Sequence, residues 1–192
     1  MLDEYNTYGF YTERGLFSES YINNLREEID SIGYELDISM HPHKTSRLVK
    51  EIMFDGVLRG MIHKFIGNNI PIQSQLRFKP PSTAGFPYHQ DDYWTQAGFG
   101  NTINVLVHID EATIENGCIY VLPKSHKPPF HEDRGYLEAK PGDVTFLHNY
   151  LIHGSDNNNS EEYRRNLLLM YVKQNCEYRK GENAKREEIT NE

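Results

Sequence analysis

From residue 71 onward the chain is a succession of short β-prone runs, each closed by Gly, Pro or Asn. This texture constrains the fold more than any other feature of the sequence. IQSQLRFK alternates apolar and polar residues, and PPSTAGFP is loop chemistry. YHQDDYW, TINVLVHID, CIYVLP, DVTFLHNYLIHG and NLLLMYVKQN follow, with the turn-like EATIENG ahead of CIYVLP. Several short strands separated in this way predict an all-β sandwich or barrel.

The first third has a different period. Within SESYINNLREEIDSIGY, Tyr21, Ile22, Leu25, Ile29 and Ile32 recur at three and four residues. That spacing predicts a helix with Ser18 as N-cap, Glu19 against the positive end of the dipole, and Gly33 at its close. A second helical pattern spans about 45–67 through Leu48, Ile52, Leu58, Ile62 and Ile66, weakened by Gly56 and Gly60. Both apolar stripes are read as core. The expectation is a single domain: helical over about 1–70, a β core over about 71–175, and a polar tail over about 176–192. The tail, RKGENAKREEITNE, is charged and expected to fray.

Of 192 residues, 38% are hydrophobic and 25% charged, which suits an ordinary globular protein with a real core. The net charge of −8 argues against a nucleic-acid binder, which needs a basic face. Cys118 and Cys176 form no CxxC pair, so neither a disulfide framework nor a zinc ribbon is expected. MLDEYNTYGF is acidic and polar, unlike a secretory leader, and no apolar run approaches membrane-spanning length. A cytoplasmic protein acting on a small molecule, with neither nucleic acid nor membrane as partner, is the expectation.

Chemistry enters at FPYHQDDYW. On a strand, positions i and i+2 face the same way, so His89 and Asp91 would converge on one point among aromatic rings, where a metal ion fits. A bare HxD pair is weak evidence. His131-Glu132-Asp133 repeats the pattern, and His41-Pro42-His43 is another metal-like pair. The HED residues fall in the proline-bounded KPPFHEDRG, a poor place to hold metal geometry, and HPH has no carboxylate at matching spacing. Both are read as surface. His153 is the better third ligand: it follows the strand-like NYLI, precedes a Gly, and can look into a cleft at a strand end.

Two histidines and one carboxylate leave other coordination positions open, the facial arrangement of non-haem Fe(II) oxygenases. The same three residues can serve zinc hydrolysis. Arg164 opens the last strand and, with Ser155, can form a carboxylate clamp in the same cavity; the bland alternative pairs Arg164 and Arg165 with Glu161 or Glu162.

KPPSTAGFPYHQDDYW, ENGCIYVLPKSH, GDVTFLHNYLIHGS and the arginine beyond them resemble, in type and order, the phytanoyl-CoA dioxygenase superfamily of Fe(II)/2-oxoglutarate-dependent oxygenases, over roughly residues 70–172. The resemblance implies a mainly β fold with flanking helices, namely a double-stranded β-helix (jelly-roll, cupin-like) with N-terminal helices packed on one sheet. It implies Fe(II) on His89, Asp91 and His153, 2-oxoglutarate held by Arg164 with Ser155 as helper, and O2 as oxidant. Gln73 matches a glutamine that contacts the co-substrate in some relatives, and Asn104 is a further candidate in the cavity. Phe86, Tyr88 and Trp94 are candidates for a substrate wall, with Arg77 and Lys79 as a local basic pocket. His148 is expected to be a satisfied core histidine.

Related halogenases lack the carboxylate that Asp91 supplies, so hydroxylation is favoured over halogenation. Lys124 stands where many relatives have Gly, and the stretch from His126 to Gly142 is short where many carry a substrate-covering insertion. A small substrate or an open site is implied. A cupin-like divalent-metal hydrolase or isomerase, and a non-catalytic small-molecule-binding barrel, are the competing expectations.

Overall fold

The computed structural model describes residues 1–33, 38–129 and 132–191. In chain order the elements are α1 (Leu2–Tyr8), β1 (Phe10–Glu13), α2 (Glu19–Ile32), β2 (Ile38–Met40), a 3-10 turn (Pro42–Lys44), α3 (Arg47–Met53), α4 (Gly56–Ile66) and β3 (Asn69–Lys79). They continue as β4 (Phe86–His89), α5 (Asp92–Thr95), β5 (Thr102–His108), β6 (Ile119–Val121), β7 (Gly135–Leu137), β8 (Val144–His148), β9 (His153–Ser155) and β10 (Arg164–Lys173).

Helix α2 begins where expected: the Ser18 hydroxyl accepts from the Tyr21 amide, and Gly33 closes the helix at φ +73°. The second pattern is two helices, not one. Asp55 Oδ1 accepts from the Leu58 amide and starts α4 afresh, so Gly56 opens a helix where sequence periodicity reads it as a defect inside one. The first residues add α1 and β1, which no periodicity announces. Strand β1 exists because it pairs antiparallel with β8, from Phe10 opposite Leu147 to Glu13 opposite Val144.

Two antiparallel sheets result, one ordered β1-β8-β5-β10-β3-β2 and the other β4-β9-β6-β7. The helices cover one face of the larger sheet: Ile22, Leu25, Ile29, Val49, Ile52, Leu58 and Ile62 bury against Leu76, Val105, Val107, Phe146, Leu167, Leu169 and Tyr171. A smaller cluster, with Leu106, Leu147 and Leu168 from one sheet and Val121 and Leu137 from the other, joins the two sheets face to face. The remaining space between them is a cavity.

Two expectations fail here. The tail does not fray among its described residues: the Glu187 and Ile189 amides donate to Ile72 and Pro71 carbonyls at 3.3 and 2.9 Å, the Arg179 amide donates to Thr95, and Ile189 packs on the main core. Nor is HPH a surface pair. His43 is buried with Nδ1 2.6 Å from Ser74 Oγ, and burial beside His41 lowers its pKa to about 4. Of the HED loop, His131 lies outside the described residues, while Glu132 and Asp133 are exposed. No described helix is long and apolar enough to cross a membrane.

Candidate metal centre and cavity

His89 ends β4 and His153 opens β9, and the two are register partners across the pair. Asp91 reaches them by another route than the one expected from the i, i+2 rule. The strand stops at His89, and Asp91 sits in helical backbone as the residue preceding α5. A turn, rather than a pleat, brings the carboxylate back.

The three side chains converge: one ligand atom from each lies within 4.8 Å of the others. His89 Nε2 is 3.7 Å from Asp91 Oδ1, and His153 Nε2 is 3.7 Å from Asp91 Oδ2. His89 Nδ1 donates to the Pro87 carbonyl and His153 Nδ1 to the Leu151 carbonyl, each at 2.9 Å. A carbonyl only accepts, so Nδ1 carries the proton in both rings and each Nε2 presents a lone pair inward. Burial and the neighbouring His153 lower the His89 pKa to about 4, which keeps it neutral, as a ligand must be. Asp91 is buried, and its Oδ2 has no hydrogen-bond partner among the described residues. An orphaned, buried carboxylate oxygen facing two imidazole lone pairs is costly in an apo protein and satisfied by a divalent cation. The residues fit such an ion, and an oxygen and two nitrogens suit iron.

The centre opens into a cavity of about 460 Å³. Arg164, Ser155, Asn104, Arg77, Phe86 and Trp94 all line it, as do Lys79 and Gln75. Arg164 is buried and pairs with no acid among the described residues. Its Nε and Nη2 donate to the Asn116 and Gly117 carbonyls at 3.3 and 2.9 Å, and burial lowers its pKa to about 10. Gly117 can offer that carbonyl because it has φ +72°, and a Cβ there would stand 2.4 Å from the Asp156 oxygen. The neighbouring Arg165 is the paired one, bonded to Asp110 and Asp30. Ser155 Oγ accepts from Lys79 Nζ at 3.1 Å and from the Phe86 amide. Lys79 is buried, which with the adjacent Arg164 lowers its pKa to about 8. His153 and Arg164 lie on different sheets, β9 and β10, and border the same cavity system.

Two candidates are placed elsewhere. Gln73 shares a face of β3 with Gln75 and Arg77 but sits beyond the cavity; its Nε2 donates to the Ala184 carbonyl and its Oε1 accepts from Gln75. Gln75 occupies the cavity position instead. Tyr88 is exposed on the outer side of β4, packed against Tyr120 and bonded to Arg134, because alternation along the strand turns it away from His89. His148 is buried, as expected; its Nδ1 accepts from the Tyr150 amide, and burial with the nearby His126 lowers its pKa to about 3. Lys124 adopts φ +70°, a conformation more natural to glycine. Sequence reasoning missed Arg186, which comes from the tail, is only 6% exposed, and lines the cavity. No motif surrounds it, and a charged tail carries no signal that it packs inward.

A family model described as phytanoyl-CoA dioxygenase matches residues 36–166, most of the chain. The chain belongs to the phytanoyl-CoA dioxygenase family. Among relatives, it is 31% identical over 161 residues to the peroxisomal phytanoyl-CoA dioxygenase of Bos taurus, covering 67% of this chain and 47% of that protein. It is also 24% identical over 205 aligned positions to methylphosphonate hydroxylase of Gimesia maris, covering 88% and 78%. The chain thus spans about half the length of the phytanoyl-CoA dioxygenases it matches.

Among solved structures, it is similar to the alpha-ketoglutarate-dependent carbocyclase SnoK of nogalamycin biosynthesis, with TM-score 0.84, 17% identity, and coverage of 94% and 86%. It is similar, too, to EctD from S. alaskensis, solved with 2-oxoglutarate and 5-hydroxyectoine, with TM-score 0.79, 20% identity, and coverage of 90% and 74%. At these identities the likeness is one of fold, and it matches the double-stranded β-helix expected of the phytanoyl-CoA dioxygenase family.

Proposed function

We propose that the protein is an Fe(II)- and 2-oxoglutarate-dependent oxygenase that hydroxylates a C–H bond of a small molecule. The observation that carries the reading is the orphaned Asp91 Oδ2, buried and facing two imidazoles whose tautomers are held by backbone carbonyls. His89, Asp91 and His153 would hold the iron. When bound, iron with 2-oxoglutarate supplies the oxidation, coupling O2 reduction and decarboxylation of the co-substrate to succinate with attack on substrate.

The rest is the work of this chain's residues. Arg164 binds the far carboxylate of 2-oxoglutarate, with Ser155 beside it; two backbone carbonyls hold the guanidinium in place, so little ordering remains at binding. Asn104 and Gln75 line the floor on the larger sheet, and Trp94 and Phe86 form an aromatic wall against His89. Asp91 also supports the choice of reaction: with iron bound, its carboxylate would take the ligand place that a halogenase leaves to a halide. A relative named as a hydroxylase and fold neighbours named as an epimerase and a carbocyclase mark how far activities diverge on one scaffold.

The test is anaerobic titration of the metal-free protein with Fe(II), with and without 2-oxoglutarate, followed by visible absorption. We expect a weak charge-transfer band that needs both components and is lost in Arg164→Ala. Tight zinc binding with no such band would turn the assignment toward a hydrolase.

A further inference from the structure

The cavity is lined by four cationic side chains, Arg77, Lys79, Arg164 and Arg186, and among the described residues by one acid, Asp91. The protein as a whole carries −8, so this positive interior runs against the surface. The reading above accounts for part of it. The far carboxylate of 2-oxoglutarate would meet Arg164 and Lys79, which lie together on the Ser155 side of the cavity, while Asp91 and the other carboxylate would meet the charge of the metal ion. That leaves Arg77 and Arg186 without an anion.

Both guanidiniums are held in place without being neutralised. Arg186 Nη1 donates to the carbonyls of Trp94, Arg179 and Lys180 at 3.3–3.4 Å, while its Nε is buried with no partner among the described residues. Arg77 donates through Nε and Nη2 to Gln75 Oε1 at 3.2 and 3.0 Å. Neither is in ion-pair contact with a carboxylate among the described residues; the acid whose field each feels is Asp91. Burial lowers the pKa of both arginines, the expected response to desolvated, uncompensated charge. Two neutral acceptors sit alongside: Asn166, register partner of Arg77, and Asn104 each bury an Oδ1 with no hydrogen bond among the described residues. An amide can present either its oxygen or its NH2 group, so these side chains are available to a ligand's donors or acceptors.

A buried guanidinium with an idle donor is stabilised most by an oxyanion, whose two or three oxygens match the planar fork. We propose that the substrate is a small organic anion, a carboxylate or phosphonate, whose oxyanion is met by Arg77 from the larger sheet and Arg186 from the C-terminal tail. This rests on the oxygenase reading only for the claim that Arg164 is already taken. The tail is then part of the site. Its residues from Arg179 to Ile189 are pinned to Thr95, Ile72 and Pro71 so that Arg186 reaches the cavity from outside the β core.

The chain has a single tryptophan, Trp94, which lines the cavity and whose carbonyl accepts from Arg186. Its fluorescence is a direct reporter. The protein is loaded with Mn(II) and saturating 2-oxoglutarate, then titrated with methylphosphonate, acetate and neutral acetamide. We expect a saturable change with at least one anion and none with acetamide; which anion binds tells phosphonate from carboxylate. Arg186→Gln and Arg77→Gln should each weaken that binding by about tenfold or more, and Arg186→Lys by less, while 2-oxoglutarate binding stays within about twofold.

Arg164→Gln should do the reverse. Should Arg186→Gln fail to fold, Arg77→Gln and Arg186→Lys carry the test. Equal binding of acetamide, undiminished anion binding in the Arg77 and Arg186 variants, or no saturable change with either anion overturns the proposal. If 2-oxoglutarate itself leaves the signal unmoved with Mn(II), the oxygenase reading fails instead. The anion titration of the protein without metal or co-substrate then still decides the Arg77–Arg186 site.

Discussion

The two faces of the larger sheet are made by the same strands and put to opposite uses. Along β10, Leu167, Leu169 and Tyr171 join the core beneath the helices, while Arg164, Asn166, Leu168 and Met170 line the cavity. Along β5, Ile103, Val105 and Val107 face the helices, and Asn104 and Leu106 face the cavity. The helix side is nearly all apolar, and Tyr171 donates its hydroxyl to the Met53 carbonyl. Among the described residues the cavity side collects four orphaned polar atoms, Asp91 Oδ2, Asn104 Oδ1, Asn166 Oδ1 and Arg186 Nε, against the Tyr5 hydroxyl in the helix-side core. The lesson is that one face stabilises the fold and lets the other tolerate unsatisfied groups that a ligand can satisfy.

The comparison can be broken most directly at Phe146, fully buried on the helix side with its ring 5.1 Å from that of Phe65. Phe146→Ala should cost about 3–5 kcal/mol through lost burial and a cavity, read as a lower urea midpoint at unchanged m-value. A loss under about 1 kcal/mol would mean that this face is not the stabilising one.

Acid sharpens the comparison next, because each face holds a buried neutral histidine. His108, on the cavity-side register with its Nε2 3.0 Å from Thr145 Oγ1, is lowered to about 3 by burial and by Arg164. His148, beneath Tyr5 on the helix side, is lowered to about 3 as well. An unfolded histidine titrates near 6.5, so below that pH the unfolded chain takes up protons that the folded one refuses. Stability from these groups is full above about pH 6.5 and falls as pH drops toward the folded pKa, by up to about 1.4 kcal/mol per pH unit for each. Urea unfolding in EDTA from pH 7.5 to 4.5 should show the decline, and replacing both histidines by Gln should flatten it; an unchanged slope in that variant would refute the assignment.

The smallest effect has the opposite sign. Asn104→Leu removes an orphaned oxygen from the cavity side and should leave stability unchanged or raise it by about 1 kcal/mol, while weakening ligand binding. A destabilisation above about 2 kcal/mol would show that Asn104 is structural.

Legibility in the sequence followed locality. Ser18, Gly33 and the spacing of Ile22, Leu25 and Ile29 encode α2 within one stretch of chain, and the structure agrees. His89, Asp91, His153 and Arg164 could be picked out because their flanking motifs carry a recognisable order, and all four border the same cavity system. Strand β1 was illegible because its reason for existing is β8, far along the chain. Gln73 and Gln75 are indistinguishable by alternation, since both lie on one face of β3; only the reach of the cavity and the Ala184 carbonyl separates them.

By itself, then, the sequence determined what local propensity and side-chain chemistry can encode: helices with their caps, a run of short strands, and ligand types in order. Tertiary structure decided the rest. It turned Asp91 back toward two histidines by a helical turn, brought Arg164 and His153 from different sheets to one cavity system, and drew Arg186 out of a charged tail into a buried wall. The physical reason is that burial and charge compensation are properties of neighbours in space. A residue's own chemistry states what it can bind, whereas its surroundings decide whether it is left with something to bind.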